Sequence, residues 1–82
     1  MPQPATVTVR YWAGARAAAG VDGELLAGAT VGDVLAAAVE AHPELGRVVA
    51  VSTFLLEGRA SERSAPVREG LTLEVLPPFA GG

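Results

Sequence analysis

The 82-residue chain is long enough for one small domain, and its composition, 50% hydrophobic and 18% charged, excludes a disordered chain. The net charge is −3 and every basic residue is an arginine, which argues against a nucleic-acid-binding protein. Without cysteine, the chain has no disulfide, thiolate nucleophile or cysteine-ligated metal site. No segment has the pattern of a signal peptide or membrane span, so we expect a soluble, cytoplasmic protein that does not bind membranes.

The N-terminal part of the sequence predicts strand, short helix and strand. Residues 1–4 are expected to form a loose leader, and Thr6–Trp12 alternates in the manner of a half-buried strand. The alanine-rich segment Ala13–Ala19 predicts one or two helical turns that end at Gly20. Gly23–Leu26 is predicted to be a second, short strand.

An amphipathic helix is the clearest element of the sequence. Thr30 is its predicted N-cap, with Asp33 placed three residues later as in a capping box, and Pro43 ends it. The helix-terminal His42 is interpreted as a surface residue, because a single imidazole predicts neither catalysis nor a metal cluster. The apolar stripe of the helix consists of Val31, Val34, Leu35, Ala38 and Val39.

The C-terminal part predicts further strands. Leu45–Val49 is compatible with a turn of helix that runs into a strand. Val51–Leu56 is rich in β-forming residues and ends at a hairpin-like turn, Glu57–Arg59. Ala60–Pro66 is expected to be irregular with at most a short strand, and Leu71–Leu76 is the last strand, ended by a proline pair.

This order of elements predicts a single α+β domain over residues 1–82, with one main helix packed on one face of a mixed sheet. The first and last strands are expected to pair centrally and in parallel through the helix crossover. The predicted core combines the apolar faces of the periodic elements: Val7, Val9, Tyr11, Leu26, Val31, Val34, Leu35, Ala38, Leu73 and Val75.

The C-terminal segment is the part of the sequence that indicates a function. Residues 77–82 are predicted to be a flexible functional tail that ends in Gly81 and Gly82. The α-carboxylate of Gly82 then lies on a thread without side chains, which fits a channel too narrow for a Cβ atom. It is ionised at neutral pH and can attack an activated phosphate. Leu76–Phe79 form the stem of this tail, which Pro77 and Pro78 restrict and in which Phe79 supplies an apolar anchor, although a Gly-Gly pair can also arise by chance.

Three segments carry a family resemblance: Val9–Arg16 (VRYWAGAR), Ala29–Leu35 (ATVGDVL) and, most specifically, Val75–Gly82 (VLPPFAGG). With these segments the chain resembles the ThiS/MoaD family of ubiquitin-like sulfur carriers, and within it the small subunits of molybdopterin synthases. The resemblance spans Val7–Gly82 and implies the β-grasp fold. Arg59–Arg68 is polar and hard to align with strands, so no partner contacts are carried over to it.

The resemblance implies a carrier without catalytic residues of its own. A ubiquitin-activating-type enzyme would adenylate the Gly82 carboxylate, and a sulfurtransferase would convert the adenylate to a thiocarboxylate. Neither a bound cofactor nor a metal is expected, and ATP is used by the activating partner. Gly81 and Gly82 would form the working end, and the synthase large subunit would bind the tail through Leu76, Pro77, Pro78, Phe79 and Ala80.

Two alternatives stay open. The first is a sulfur carrier for another pathway, which serves thiamine, cysteine or a different sulfur metabolite. The second is a non-carrier β-grasp interaction module, or a protein modifier that uses Gly-Gly to form isopeptide bonds.

Overall fold

A five-stranded mixed sheet is the framework of the computed structural model, which describes residues 4–78. The strands are β1 (Ala5–Tyr11), β2 (Gly23–Gly28), β3 (Thr53–Leu56), β4 (Arg59–Ser61) and β5 (Thr72–Leu76). The helices are α1 (Ala13–Ala19), α2 (Val31–Ala41) and α3 (Leu45–Val49). None of these helices is long and apolar enough to cross a membrane.

The strand order is β2-β1-β5-β3-β4, and only β1 and β5 run parallel to each other. The last strand of the chain is therefore the central strand of the sheet, with the first strand beside it. This is the β-grasp arrangement, so the predicted α+β fold and the parallel pairing through the helix crossover are confirmed. Residues 1–3 of the predicted leader lie outside the described residues.

One face of the sheet, which we call the inner face, packs against the helices. Val7 and Val9 of β1 and Leu73 and Val75 of β5 are fully buried there. Because strand side chains alternate between faces, the residues between them point to the opposite, outer face. The alternation predicted for β1 and for the last strand is confirmed.

The main helix begins as the sequence predicts. Thr30 Oγ1 accepts a hydrogen bond from the Asp33 backbone N–H at 3.1 Å, and Asp33 Oδ2 accepts one from the Thr30 N–H at 3.2 Å. This capping box satisfies two backbone donors at the start of α2. Gly28 lets β2 pass close to the same turn, since a Cβ atom there would lie 2.8 Å from the Val34 nitrogen. The helix ends at Ala41, before Pro43.

The hairpin predicted at Glu57–Arg59 is confirmed. Leu56 pairs with Arg59 across a two-residue turn, and Glu57 and Gly58 have φ angles of 51° and 81°. Positive φ at both central residues is the requirement of a type I′ turn, which glycine meets easily and glutamate does not. The Glu57 carboxylate also accepts a hydrogen bond from the Thr72 backbone N–H at 2.6 Å and so ties the turn to β5.

The structure differs from the sequence-based expectations in the short elements. Leu45–Val49 is a five-residue helix that does not continue into a strand, and β3 begins only at Thr53. Trp12 lies beyond β1, at the N-cap of α1. Leu26 is half-buried rather than part of the buried core. Within residues 4–78, seven buried hydrophobic residues were not predicted: Ala5, Ala15, Ala19, Leu45, Val49, Phe54 and Val67.

Candidate functional site

The stem of the predicted tail begins at the centre of the sheet. Val75 of β5 lies between Tyr11 of β1 and Phe54 of β3, so the strand is held on both sides almost to its end. Leu76 and Pro77 are half-buried and Pro78 is exposed. A central strand that is paired on both sides therefore places Leu76 and Pro77, the first residues of the stem, at its C-terminal end.

The remaining predicted site residues, Phe79, Ala80, Gly81 and Gly82, lie outside the described residues. Their assigned roles as apolar anchor and working end stay predictions. The described residues end at Pro78, so the structure gives the position at which the tail leaves β5.

An aromatic side chain lies beside the stem on the outer face of the sheet. The backbone N–H of Trp12 donates to the carbonyl oxygen of Val75 at 3.3 Å, which brings Trp12 next to the end of β5. Its indole Nε1–H donates to Glu74 Oε2 at 3.0 Å, and the Arg10 guanidinium carbon lies 5.4 Å from the ring centroid. We call these three residues, Arg10, Trp12 and Glu74, the Trp12 cluster.

The Trp12 cluster has the properties of a binding anchor. Trp12 is 40% exposed, yet a hydrogen bond and a cation–π contact hold its indole ring in place. A preorganised aromatic side chain loses little conformational entropy on binding, and tryptophan is enriched among residues that dominate interface energies. The sequence analysis assigned no role to Trp12. The sequence did contain a sign of this role, because Trp12 is a large aromatic residue on the otherwise polar face of the alternating segment Thr6–Trp12.

A second polar cluster lies on the inner face and links three elements. Tyr11 of β1 donates its hydroxyl hydrogen to Glu24 Oε2 of β2 at 2.6 Å, and His42 Nε2 lies 2.8 Å from the same oxygen. The His42 side chain is 23% exposed, so the interpretation of this residue as a simple surface residue is wrong. The residue after the end of α2 is instead tied to an edge strand of the sheet.

Burial raises the pKa of Tyr11 above its ordinary value, and the hydrogen bond to Glu24 and the negative charge of that carboxylate raise the pKa further. The phenol is therefore uncharged at neutral pH. Each of the three side chains already has a partner within the fold, which indicates that the cluster stabilises the packing of α2 on the sheet. Over residues 4–78, no group of three or more histidine, aspartate or glutamate side chains could hold a metal ion.

A protein family and several solved structures are similar to this chain. The chain matches the model of the ThiS family over residues 9–82. It is similar to SAMP1, small archaeal modifier protein 1, of Haloferax volcanii, with 30% identity, a TM-score of 0.83 and coverage of 94% of this chain and 99% of that one. No curated protein gives a significant match.

Two further solved structures that are similar to this chain belong to molybdopterin-converting factors. A putative molybdopterin converting factor, subunit 1, from Pyrococcus furiosus has 27% identity and a TM-score of 0.82, and the match covers 92% of this chain and 99% of that one. A chain in the complex of subunits 1 and 2 of molybdopterin-converting factor from Helicobacter pylori 26695 matches with 19% identity and a TM-score of 0.69, and the match covers 94% of this chain and 99% of that one. At that identity the similarity shows the fold alone.

The family match covers nearly the whole chain, including the β5 strand, the stem and the Gly-Gly pair. The resemblance noted in the sequence is thereby confirmed. The chain belongs to the ThiS family of ubiquitin-like sulfur carriers.

Proposed function

We propose that this protein carries sulfur for molybdopterin synthesis as the small subunit of a molybdopterin synthase. The observation that carries the proposal is the ThiS family match, which continues through Gly82. The similarity to the molybdopterin converting factor subunit from Pyrococcus furiosus supports this pathway among those that use such carriers. The described residues form the folded domain that holds the tail, and the proposed chemistry takes place at the tail within the active sites of partner proteins.

The chemistry takes place on the Gly82 carboxylate. One carboxylate oxygen attacks the α-phosphorus of ATP in an adenylating enzyme, pyrophosphate leaves, and an acyl adenylate forms. Sulfur at the sulfide level, delivered by a sulfurtransferase, then attacks the acyl carbon and displaces AMP, which leaves a thiocarboxylate. The partners supply ATP and the catalytic groups, so the carrier needs neither a cysteine nor a bound cofactor.

The tail must enter the active sites of these partners, and this requirement locates the docking surface. A partner that takes in Phe79–Gly82 must lie against the C-terminal end of β5, where Leu76 and Pro77 leave the sheet. The Trp12 cluster lies beside that end of the strand, on the outer face. We therefore assign partner binding to the stem together with the Trp12 cluster, with Phe79 as a second apolar anchor.

The synthase large subunit is the proposed final partner. The Helicobacter pylori complex shows that a protein of this fold binds a second subunit of the same factor. In the proposed complex the glycine pair threads into the large subunit, where the thiocarboxylate transfers its sulfur to the pterin.

A protein modifier is the second candidate, because the Haloferax volcanii protein to which the chain is similar is named a modifier. A modifier would use the same acyl adenylate but would transfer Gly82 to the amino group of a lysine on another protein. The two functions therefore share activation and differ in the acceptor.

Intact-protein mass spectrometry separates these candidates. After incubation with ATP, an adenylating enzyme and a sulfur source, the protein should gain the mass difference between one sulfur and one oxygen atom. Deletion of Gly82, or addition of one alanine after it, should abolish the gain, since one residue moves the carboxylate by up to about 3.3–3.6 Å. Gly14→Ala is the matched control, because a Cβ atom there meets nothing within 4 Å, and this variant should load normally.

Three results would decide against the proposal. Loading of the extended variant to the wild-type level would show that the terminal carboxylate is not the reacting group. Adducts on lysines of other proteins, without a thiocarboxylate, would favour the modifier. If the protein is not modified at all, the non-carrier interaction module is the remaining candidate.

A further inference from the structure

The edge strand β2 presents unpaired backbone groups that the proposed carrier function does not use. Within residues 4–78, β1 is its only strand neighbour. The Tyr11 N–H donates to the Asp22 carbonyl oxygen at 2.8 Å, which makes Tyr11 and Asp22 a hydrogen-bonded pair. Hydrogen bonding alternates along an antiparallel ladder, so Glu24, Leu26 and Gly28 also bond to β1, whereas Gly23, Leu25 and Ala27 direct their N–H and C=O groups away from the sheet.

The outward-directed residues of β2 lack the features that usually block edge pairing. Gly23, Leu25 and Ala27 are all exposed, and Leu25 is 69% exposed. None of them is charged and none is proline, although charges and proline are the common protection of exposed edges. The edge is therefore open to another strand.

The sequence of β2 is complementary to itself in the antiparallel direction. When Leu25 lies opposite Leu25 of a second copy, Gly23 lies opposite Ala27, and all three outward-directed residues form hydrogen-bonded pairs. Each pair exchanges two hydrogen bonds, and the two leucine side chains meet on the outer face. We propose that two copies of this chain pair edge to edge through β2, about a two-fold axis at Leu25.

The charges near the edge are compatible with this register. The two Asp22 residues lie about 20 Å apart along the ladder, and each is near Arg16 of its own chain. The two Glu24 residues are diagonal neighbours on the inner face, but each carboxylate is bound by Tyr11 and His42 of its own chain. Only one short ladder holds the two copies together, so we expect a weak dimer that forms at high protein concentration.

The pairing leaves the proposed carrier site free. The strand β5 is separated from β2 by β1 within each copy. The two-fold axis is perpendicular to the joined sheet, so the two β5 strands run in opposite directions and their stems leave at opposite ends. A dimer of this kind presents two independent tails, and its existence does not depend on sulfur transfer.

Single cysteine variants test the register directly, because the natural chain has no cysteine. Leu25→Cys brings two thiols together across the axis, where the Cα atoms lie about 5.5 Å apart, within the range of about 4.4–6.8 Å for a disulfide. Ala27→Cys is the matched control on the same strand, because its two copies lie about 14 Å apart. Val51→Cys, on a residue that is 63% exposed outside the sheet, is the control for random collision.

We expect Leu25→Cys to form a covalent dimer under mild oxidation on the order of tenfold faster than either control. Similar rates for all three variants would show random collision and would overturn the proposal, and so would no crosslinking at all. The wild-type protein gives a second readout through amide hydrogen exchange by NMR. The Leu25 and Ala27 amides should gain protection as the protein concentration rises, while the Glu24 and Leu26 amides stay protected throughout. Exchange at Leu25 that does not depend on concentration would exclude the β2 dimer.

Discussion

The two faces of the sheet differ sharply, although the same strands form both. On the inner face, Val7 and Val9 of β1 are fully buried against the helices. On the outer face, Leu25 is 69% exposed and Trp12 is 40% exposed. Because successive strand residues alternate between faces, every second residue serves the fold and the residues between them are available for contacts. Stability and binding can therefore be changed separately by choosing the face that is substituted.

The largest expected effect lies on the inner side. Leu35 of α2 is fully buried, so Leu35→Ala should lower the free energy of unfolding by roughly 2–5 kcal/mol through lost apolar burial and the cavity that remains. The exposed Leu25→Ala is the matched control and should change this free energy by less than about 0.5 kcal/mol. Urea denaturation measures both at low protein concentration. Equal losses of unfolding free energy in the two variants would contradict the assignment of stability to the inner side.

On the outer face, the expected effect is on binding. Trp12→Ala should weaken the complex with the adenylating enzyme or the synthase large subunit by roughly 1–3 kcal/mol, because it removes the anchor beside the stem. Thr8→Ala, on the same face of β1 but farther from the stem, should leave the affinity within about 0.5 kcal/mol of wild type. Isothermal calorimetry measures the affinity, and circular dichroism checks that both variants are folded. Unchanged affinity for Trp12→Ala would remove the Trp12 cluster from the docking surface.

The smallest effect is a pH dependence that belongs to the inner face alone. The pKa of Tyr11 is raised in the folded protein, so the stabilisation is complete below the unfolded value of about 10 and is lost as the pH rises further. Tyr11 is the only tyrosine and the chain has neither lysine nor cysteine, so it is the only side chain whose reference pKa lies between about 9 and 12. Urea denaturation from neutral pH to about pH 11.5 should show an alkaline loss of stability in wild type but not in Tyr11→Phe. The same alkaline loss in both proteins would contradict this assignment.

The elements with a clear repeat were predictable from the sequence. In β1, β5 and α2, several buried residues recur at a spacing of two, or of three and four, and local capping residues mark where α2 begins and ends. Leu45, Val49 and Phe54 were missed as core residues because their segments show no readable period. The helix α3 is little more than one turn long, and its two buried residues do not establish a helical repeat. Phe54 begins the apolar run Phe54–Leu56, which does not alternate with polar residues as β5 does.

The candidate site was predictable only where it depends on local sequence. The proline pair and the glycine pair lie together in the chain, so their pattern was visible without the fold. The Trp12 cluster depends on a contact between residues 62 positions apart, which exists only because β1 and β5 are parallel neighbours. The pairing of His42 with Glu24 also depends on the fold, because Glu24 is 18 residues away on the edge strand β2 and only the packing of α2 on the sheet brings the two side chains together.

A single-turnover transfer experiment tests the proposed function most directly. The protein is first converted to its Gly82 thiocarboxylate and purified, and is then mixed with the synthase large subunit and the sulfur-free pterin precursor. The account predicts that the carrier returns to its original mass while its sulfur, labelled with a heavy isotope, enters the pterin. If the label stays on Gly82 in this mixture but leaves it when the protein is mixed with another sulfur-accepting enzyme, the protein is a carrier for a different pathway. If Gly82 is instead recovered in an isopeptide bond to lysine, the sulfur-carrier function proposed for this chain is contradicted.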